Sequence, residues 1–193
     1  AARGSGSGGC GAAYKAKGRT VTKTIEVDGL NRTYLLRVPK SYDDATPTPL
    51  VLSHGGWTVT PAEDEADSGL SDLAETEGFL VAYLKGYGDN DHPTTFNWDS
   101  WDTRGSVDSD KYPGCLAWGG TAQYCYASCA ARSQGCDALG CDWTTCVNST
   151  AFNVAVLDAL EDELCVDVTR EYGACVFSHS RAAPCASSQL ARY

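Results

Sequence analysis

The chain has 193 residues, and its 15 Lys and Arg against 25 Asp and Glu give a formal net charge of −10 at pH 7. This length is sufficient for one domain with a buried core. The acidic balance argues against nucleic acid and anionic membrane surfaces as partners. No apolar run approaches the roughly 20 residues of a membrane span, so we expect no membrane-spanning segment.

Ten cysteines in a chain of this length indicate an oxidising compartment. Because their number is even, we expect five disulfides that pair Cys10, Cys115, Cys125, Cys129, Cys136, Cys141, Cys146, Cys165, Cys175 and Cys185. A zinc site is the alternative for the six central cysteines, but no Cys-x-x-Cys pair occurs among them. We expect no metal.

Two sequons, which begin at Asn31 and Asn148, predict N-glycosylation. Together with the cysteines they indicate a secreted, extracellular protein. The sequence contains no Met and no apolar leader-like region, so we expect a processed product or a fragment.

The first 18 residues are mostly Gly, Ser and Ala with a few Lys and Arg, a composition typical of a flexible linker. We therefore divide the chain into a linker over residues 1–18 and a folded domain over residues 19–193.

The domain begins with a predicted hairpin, in which strands at residues 20–27 and 33–38 flank the turn signal Asp28-Gly29. A short apolar strand at residues 50–53 then ends abruptly at His54-Gly55-Gly56. Glycines allow a sharp turn and bring backbone N–H groups close to a ligand. Open α/β sheets bind ligands at such strand ends, so this glycine loop is a candidate functional site.

A capping box with Pro at the first helical position predicts that a helix begins after Thr60, and Gly69 and Gly78 mark a break and an end. Four acidic residues near this start complement the helix dipole, although a cation site is the alternative: Glu63, Asp64, Glu65 and Asp67. A second buried strand is predicted at residues 79–84.

Residues 85–147 are predicted to form a long, disulfide-stapled loop, because they are rich in Gly, Asp, Trp, Tyr and Cys and lack periodicity. Four tryptophans either line a cleft for sugars or aryl groups or pack the loop against the sheet: Trp98, Trp101, Trp118 and Trp143.

A clear helix is predicted at residues 150–164, where an apolar residue recurs every fourth position: Phe152, Val156, Leu160 and Leu164. Its opposite, polar face carries Asn153, Asp158, Glu161 and Asp162. A strand at residues 171–177 follows. This order of elements predicts an α/β domain with a hairpin at the edge of its sheet.

In order and spacing, residues 20–178 resemble secreted α/β-hydrolases of the polyhydroxybutyrate depolymerase and feruloyl esterase type. The matching segments are residues 33–36 (Thr-Tyr-Leu-Leu), 38–39 (Val-Pro), 49–52 (Pro-Leu-Val-Leu) with His54-Gly55, 62–65 (Ala-Glu-Asp-Glu), 79–86, 143–146 (Trp-Thr-Thr-Cys) and 164–167 (Leu-Cys-Val-Asp). The resemblance implies a partial α/β-hydrolase-like sheet and a cofactor-independent serine esterase that acts on polyester, aryl or carbohydrate esters.

The resemblance also implies roles for individual residues. Ser178 lies where the family has its nucleophile, in a Gly-x-Ser-x-Gly elbow, and the backbone N–H groups of Gly56 and His179 correspond to the oxyanion hole. However, Val176 and Ser180 stand in place of the two elbow glycines. Residues 179–193 contain no Asp or Glu and one His, His179, whereas the fold places an acid and then a histidine after the serine.

Two interpretations remain open at this point. The chain is a catalytically degenerate, extracellular hydrolase-like unit with a binding or structural role, or it is an active esterase whose Asp and His come from a missing C-terminal segment or another chain. An unrelated disulfide-rich binding module is a third, weaker possibility. Because the family's sheet continues past the nucleophile strand, we expect an open edge at residues 171–177 and a partner there: a second copy, as in a filament, or a completing chain.

Overall fold

A computed structural model of the protein describes residues 6–56, 59–86 and 149–175. The described strands are β1 (Arg19–Val27), β2 (Leu30–Val38), β3 (Thr48–His54), β4 (Leu80–Leu84) and β5 (Val166–Cys175). The described helices are α1 (Pro61–Ser68), α2 (Leu70–Glu77) and α3 (Ser149–Glu163). The strands form one mixed sheet in the order β1-β2-β4-β3-β5, which confirms the predicted α/β fold class.

The edge hairpin forms as predicted. Strands β1 and β2 pair antiparallel from Arg19 opposite Val38 to Val27 opposite Leu30. Asp28 and Gly29 connect the strands, and both have positive φ angles, of 51° and 74°. Positive φ at both central positions is what a tight two-residue hairpin turn requires, and Asp and Gly tolerate it well.

Strands β3 and β4 are parallel and form the centre of the sheet, where Leu50 pairs with Leu80. On one face, the leucines of β3 pack with Phe152 and Val156 of α3 in the main core. On the other face, Val81 and Tyr83 pack with Ala74 of α2. A strand covered by helices on both faces explains the unbroken apolar runs of the sequence.

The capping box of α1 is present. The Thr60 Oγ1 accepts from the Glu63 N–H, and the Thr60 N–H donates to the Glu63 carboxylate at 2.7 Å. Gly69, with φ of 68°, separates α1 from α2. Glu63 and Asp64 lie in the first turn of α1. The described residues include no group of three or more His, Cys, Asp or Glu side chains that could hold a metal ion.

The fifth strand begins earlier than predicted, at Val166 rather than residue 171. The polar residues after Val166 interrupt the apolar pattern that predicts a strand, so the sequence did not indicate this earlier start. In the structure the Asp167 carboxylate accepts hydrogen bonds from the Thr169 N–H at 3.0 Å and from the Arg170 Nε at 2.5 Å. A register shift between Thr48 and Leu50 accommodates this polar turn within the pairing of β3 and β5. The predicted end at residue 177 lies outside the described residues.

Residues 6–18 lie against the domain, which differs from the linker that their composition predicts. Gly6 forms an antiparallel bridge with Asp167, and the Ser7 Oγ donates to the Leu164 carbonyl at 2.6 Å. A side-chain carbon on Gly9 would lie only 2.5 Å from the Leu164 nitrogen. Glycine is therefore present at this position because the two backbones approach closely, not because the segment is flexible.

A disulfide between Cys10 and Cys165 fastens this segment to the junction of α3 and β5. The side chains of the other eight cysteines lie outside the described residues, as does the predicted stapled loop. No described helix has the length and apolar character needed to cross a membrane.

We expect the double substitution Cys10→Ser/Cys165→Ser to lower the free energy of unfolding by about 2–5 kcal/mol, because it opens a covalent loop that spans a large part of the chain. Urea denaturation measures this loss. Amide exchange at Gly9, whose N–H donates to the Glu161 carbonyl at 2.7 Å, should accelerate as the segment is released.

Ser7→Ala is the matched control for this prediction. It removes the side-chain hydrogen bonds of Ser7 but keeps the disulfide, and it should cost only about 1 kcal/mol. A double variant that unfolds within 0.5 kcal/mol of the wild type, about the size of a neutral surface substitution, would show that the disulfide does not hold the segment in place.

Candidate active site

The candidate site lies where β3 and β5 end together. The two strands are parallel, and His54 at the end of β3 pairs with Cys175 at the end of β5. The glycine loop therefore leaves the sheet beside the chain that leads, three residues later, to Ser178. The carboxyl ends of parallel strands are the usual position of ligand sites in α/β sheets.

The glycine loop folds back immediately on itself. The Val59 N–H donates to the Gly56 carbonyl at 3.0 Å, and a side-chain carbon on Gly55 would lie 3.3 Å from both Cγ1 and the carbonyl oxygen of Val59. Gly56 is buried. No hydrogen bond connects its N–H to another residue of the described ranges.

His54 is the polar centre of this site. The residue is only 6% exposed. The Nδ1 atom lies 3.3 Å from the Ala174 carbonyl oxygen of β5, and the Nε2 atom lies 3.3 Å from the Asn153 side chain of α3. One ring thus contacts two elements besides its own strand, directly before the glycine loop.

The sequence did not predict the role of Asn153. The helical period places it on the polar face of α3, but in the structure it is half-buried against His54, and its apolar neighbour Val154 is 50% exposed instead. A helical period identifies a face to within about one residue on either side, and it carries no signal for a polar contact beside the core.

Behind the loop, α1 is fastened to β3 by a buried hydrogen bond. The Ser53 Oγ donates to the Asp64 Oδ2 at 2.8 Å, and Asp64 is almost completely buried. Burial raises the pKa of the Asp64 carboxyl, and the charge of Asp67 adds to this, while the bond from Ser53 opposes it. Asp64 therefore supports the residue that precedes His54, in addition to the helix-start role that the sequence predicts.

Glu171 is a second buried acid, in the middle of β5. Its side chain is 1% exposed. Burial raises its pKa to about 7, and the nearby carboxylates Asp158 and Asp167 contribute in the same direction. The sequence identified Glu171 only as the start of a strand, since nothing in a local pattern distinguishes a buried glutamate from an exposed one.

Several predicted site residues lie outside the described residues. These are Ser178, His179, Asn148, the four tryptophans Trp98, Trp101, Trp118 and Trp143, and the cysteines between residues 115 and 146. Asn31 is described: it lies on β2 opposite Glu26, with an exposed side chain.

A cavity of about 300 Å³ lies at the opposite end of the sheet, near the amino end of β3. Tyr42, Asp43, Glu77 and Arg170 are among its lining residues. Two of its charged groups have partners within the chain: Asp43 accepts from Thr46, and Arg170 pairs with Asp167.

The strand order, the parallel central strands and the edge hairpin form a partial α/β-hydrolase-like sheet, as the sequence predicts. Several solved structures are similar to the chain in fold. A crystal structure of native sOPH shares 15% identity over 86% of this chain and 45% of its own, with a TM-score of 0.50.

An S-formylglutathione hydrolase from Agrobacterium tumefaciens shares 12% identity over 81% of this chain and 48% of its own, with a TM-score of 0.48. A ferulic acid esterase shares 16% identity over 57% of this chain and 47% of its own, with a TM-score of 0.32. No protein-family model and no curated protein matches the chain. The chain spans about half the length of the structures it matches, and at these identities the likeness extends to the fold alone.

We expect Glu171→Gln to make the free energy of unfolding less dependent on pH. Because the pKa of Glu171 is raised from 4.5 to about 7, the folded chain holds a proton that the unfolded chain releases between these values. The associated stability is fully present below pH 4.5 and is lost as the pH rises through 7. From pH 5 to pH 8, the wild type should lose about 1 kcal/mol or more relative to the variant.

Urea denaturation at the two pH values measures this difference. Glu26→Gln is the control, because it removes an exposed carboxylate from β1 at the far edge of the sheet. Parallel stability curves for wild type and Glu171→Gln between pH 5 and pH 8 would mean that Glu171 is not held in its protonated form.

Proposed function

We propose that the chain is a hydrolase-like unit that binds ester-bearing ligands at the carboxyl ends of β3 and β5, and that these 193 residues alone do not turn the ligand over. The ligand class is a polyester, aryl ester or esterified glycan, in line with the resemblance of the sequence to polyhydroxybutyrate depolymerases and feruloyl esterases. Pairing of His54 with Cys175 is the observation that carries the proposal.

This pairing supports binding because it brings the glycine loop to the exit of the strand that precedes Ser178. Gly56 is buried, and its N–H is suited to donate a hydrogen bond to a carbonyl oxygen or an oxyanion. A hydrogen-bond donor in a water-excluded position contributes to binding even when no bond is broken.

Absence of turnover is supported by three features. The elbow has Val176 and Ser180 where small glycines relieve crowding. Residues 179–193 contain neither Asp nor Glu. The ring nitrogens of His54, which is the described histidine beside the site, already face Ala174 and Asn153. A serine without a base retains only the contributions of binding and the oxyanion hole.

An active serine esterase is the alternative, and the glycine loop favours it, since a backbone N–H at this strand end is the kind of donor that an oxyanion hole needs. In that case Ser178 is the nucleophile, and the Asp and His are supplied from outside these 193 residues. The alternative and the proposal share the same ligand site and differ only in turnover.

Hydrolysis of p-nitrophenyl butyrate by the purified chain distinguishes the two. We expect the wild type to release nitrophenolate no faster than Ser178→Ala, because a triad acts as a unit and loses most of its effect when any member is absent. A wild-type rate tenfold or more above that of Ser178→Ala, with matching labelling of Ser178 by a fluorophosphonate probe, would establish the esterase instead.

We further propose that the protein is secreted, glycosylated at Asn148 and at the exposed Asn31, and assembled with other copies through β5. On one side β5 pairs with β3. On its other side, among the described residues, Gly6 and Ser7 meet only its first two residues. An open strand edge is a common association surface, and Tyr172 of β5 is one of the exposed large apolar residues.

Light scattering after size exclusion at micromolar concentration tests the assembly. We expect a mass above that of the monomer, and we expect Tyr172→Lys to shift the protein towards monomer because a charge on an edge strand opposes pairing. Leu73→Lys is the control, since Leu73 is also a large exposed apolar residue but lies on α2. A monodisperse wild-type monomer would exclude self-association under these conditions.

A further inference from the structure

The ring of His54 lies between two oxygen atoms, and this arrangement restricts where its protons are. The Nδ1 atom is 3.3 Å from the Ala174 carbonyl oxygen. A backbone carbonyl only accepts hydrogen bonds, so Nδ1 must carry a proton and donate it. The ring proton of a neutral His54 is therefore already assigned to Nδ1.

The second ring nitrogen, Nε2, then has two possible states, protonated or bare. Nε2 lies 3.3 Å from the Asn153 Oδ1, and with that oxygen as its partner Nε2 must also carry a proton, which makes His54 an imidazolium. His54 is buried, with 6% of the residue exposed, and the charged form of a buried group is costly. A half-turn of the Asn153 amide instead presents Nδ2–H to Nε2, occupies the same space, and leaves the ring neutral.

We propose that His54 is held as the neutral Nδ1–H tautomer, which donates to Ala174 and accepts from the Asn153 amide, and that Asn153 is thereby a positioning residue for the glycine loop. The second part rests on the proposed function, because it is that function which gives the loop its role. The first part stands on the geometry of the ring alone.

A single ring in this state joins three elements at one point. Its backbone belongs to β3, its Nδ1–H binds β5, and its Nε2 binds α3. Gly55 follows directly, so the path of the loop depends on where this ring is fixed. Because the lone pair of Nε2 accepts from Asn153, His54 positions the site and does not serve as its base.

Ring-labelled nitrogen-15 histidine in the full chain tests the tautomer. Long-range proton–nitrogen spectra distinguish a protonated ring nitrogen from a bare one. The chain has three histidines, so His92→Gln and His179→Gln identify the His54 signals by elimination. At pH 7 we expect a protonated Nδ1 and a bare Nε2. Two protonated nitrogens, or a proton on Nε2 alone, would overturn the proposal.

Asn153→Leu tests the positioning role, with Val154→Ala as control because Val154 is the exposed neighbour on the same helix. We expect amide exchange at Gly55 and Gly56 to be about fivefold faster or more in Asn153→Leu, with exchange at Leu36 in the centre of β2 unchanged. Unchanged exchange at the two glycines, or equal acceleration at Leu36, would reduce Asn153 to a general structural residue and overturn the positioning role.

The ring spectrum does not depend on ester binding or turnover. A chain that shows the Nδ1–H tautomer but binds no ester would contradict the proposed function and leave the tautomer assignment intact. A chain that binds esters but carries a charged His54 would contradict the tautomer assignment and leave the proposed function intact. If Asn153→Leu fails to fold, the wild-type ring spectrum still decides the tautomer.

Discussion

The parallel pairing of β3 with β5 is the constraint on which the rest of the structure depends. It brings the ends of two strands that are more than a hundred residues apart in the chain to adjacent positions, with His54 opposite Cys175. Leu50 and Leu52 hold β3 in the core against α3, while the Cys10–Cys165 disulfide holds the start of β5. Burial of the apolar side chains supplies most of the favourable free energy for this pairing.

Two buried polar contacts lie near these strand ends. Ser53 donates to Asp64, and His54 contacts Ala174 and Asn153. Each buried polar group costs free energy that an apolar side chain would not. Proteins retain such groups mainly where they fix the geometry of a site, which agrees with a ligand site at this end of the sheet.

The sequence predicted what short-range patterns determine. The Asp28-Gly29 hairpin and the capping box at Thr60 follow from local backbone preferences, and both formed as expected. The buried strand that ends at His54 follows from its apolar run and the glycines after it. These features led to the correct fold class.

The sequence did not predict what depends on contacts between distant segments. The glycines of residues 6–18 are typical of a linker, yet Gly9 is required by its close contact with the Leu164 backbone. The contact of Asn153 with His54 depends on how α3 is rotated about its axis, which its apolar period does not define closely enough. Burial of Glu171 depends on the residues that cover β5, and no local pattern reports them.

The most direct test of a ligand site at the carboxyl ends of β3 and β5 is the amide nitrogen-15 spectrum of the full chain, titrated with an aryl ketone analogue of the ester that no nucleophile can cleave. We expect the largest shifts at Gly55, Gly56 and Ala174, where the glycine loop and β5 leave the sheet together. No shift at millimolar ligand would contradict this site. Shifts centred on Tyr42 and Glu77, in the cavity at the amino end of β3, would contradict it as well.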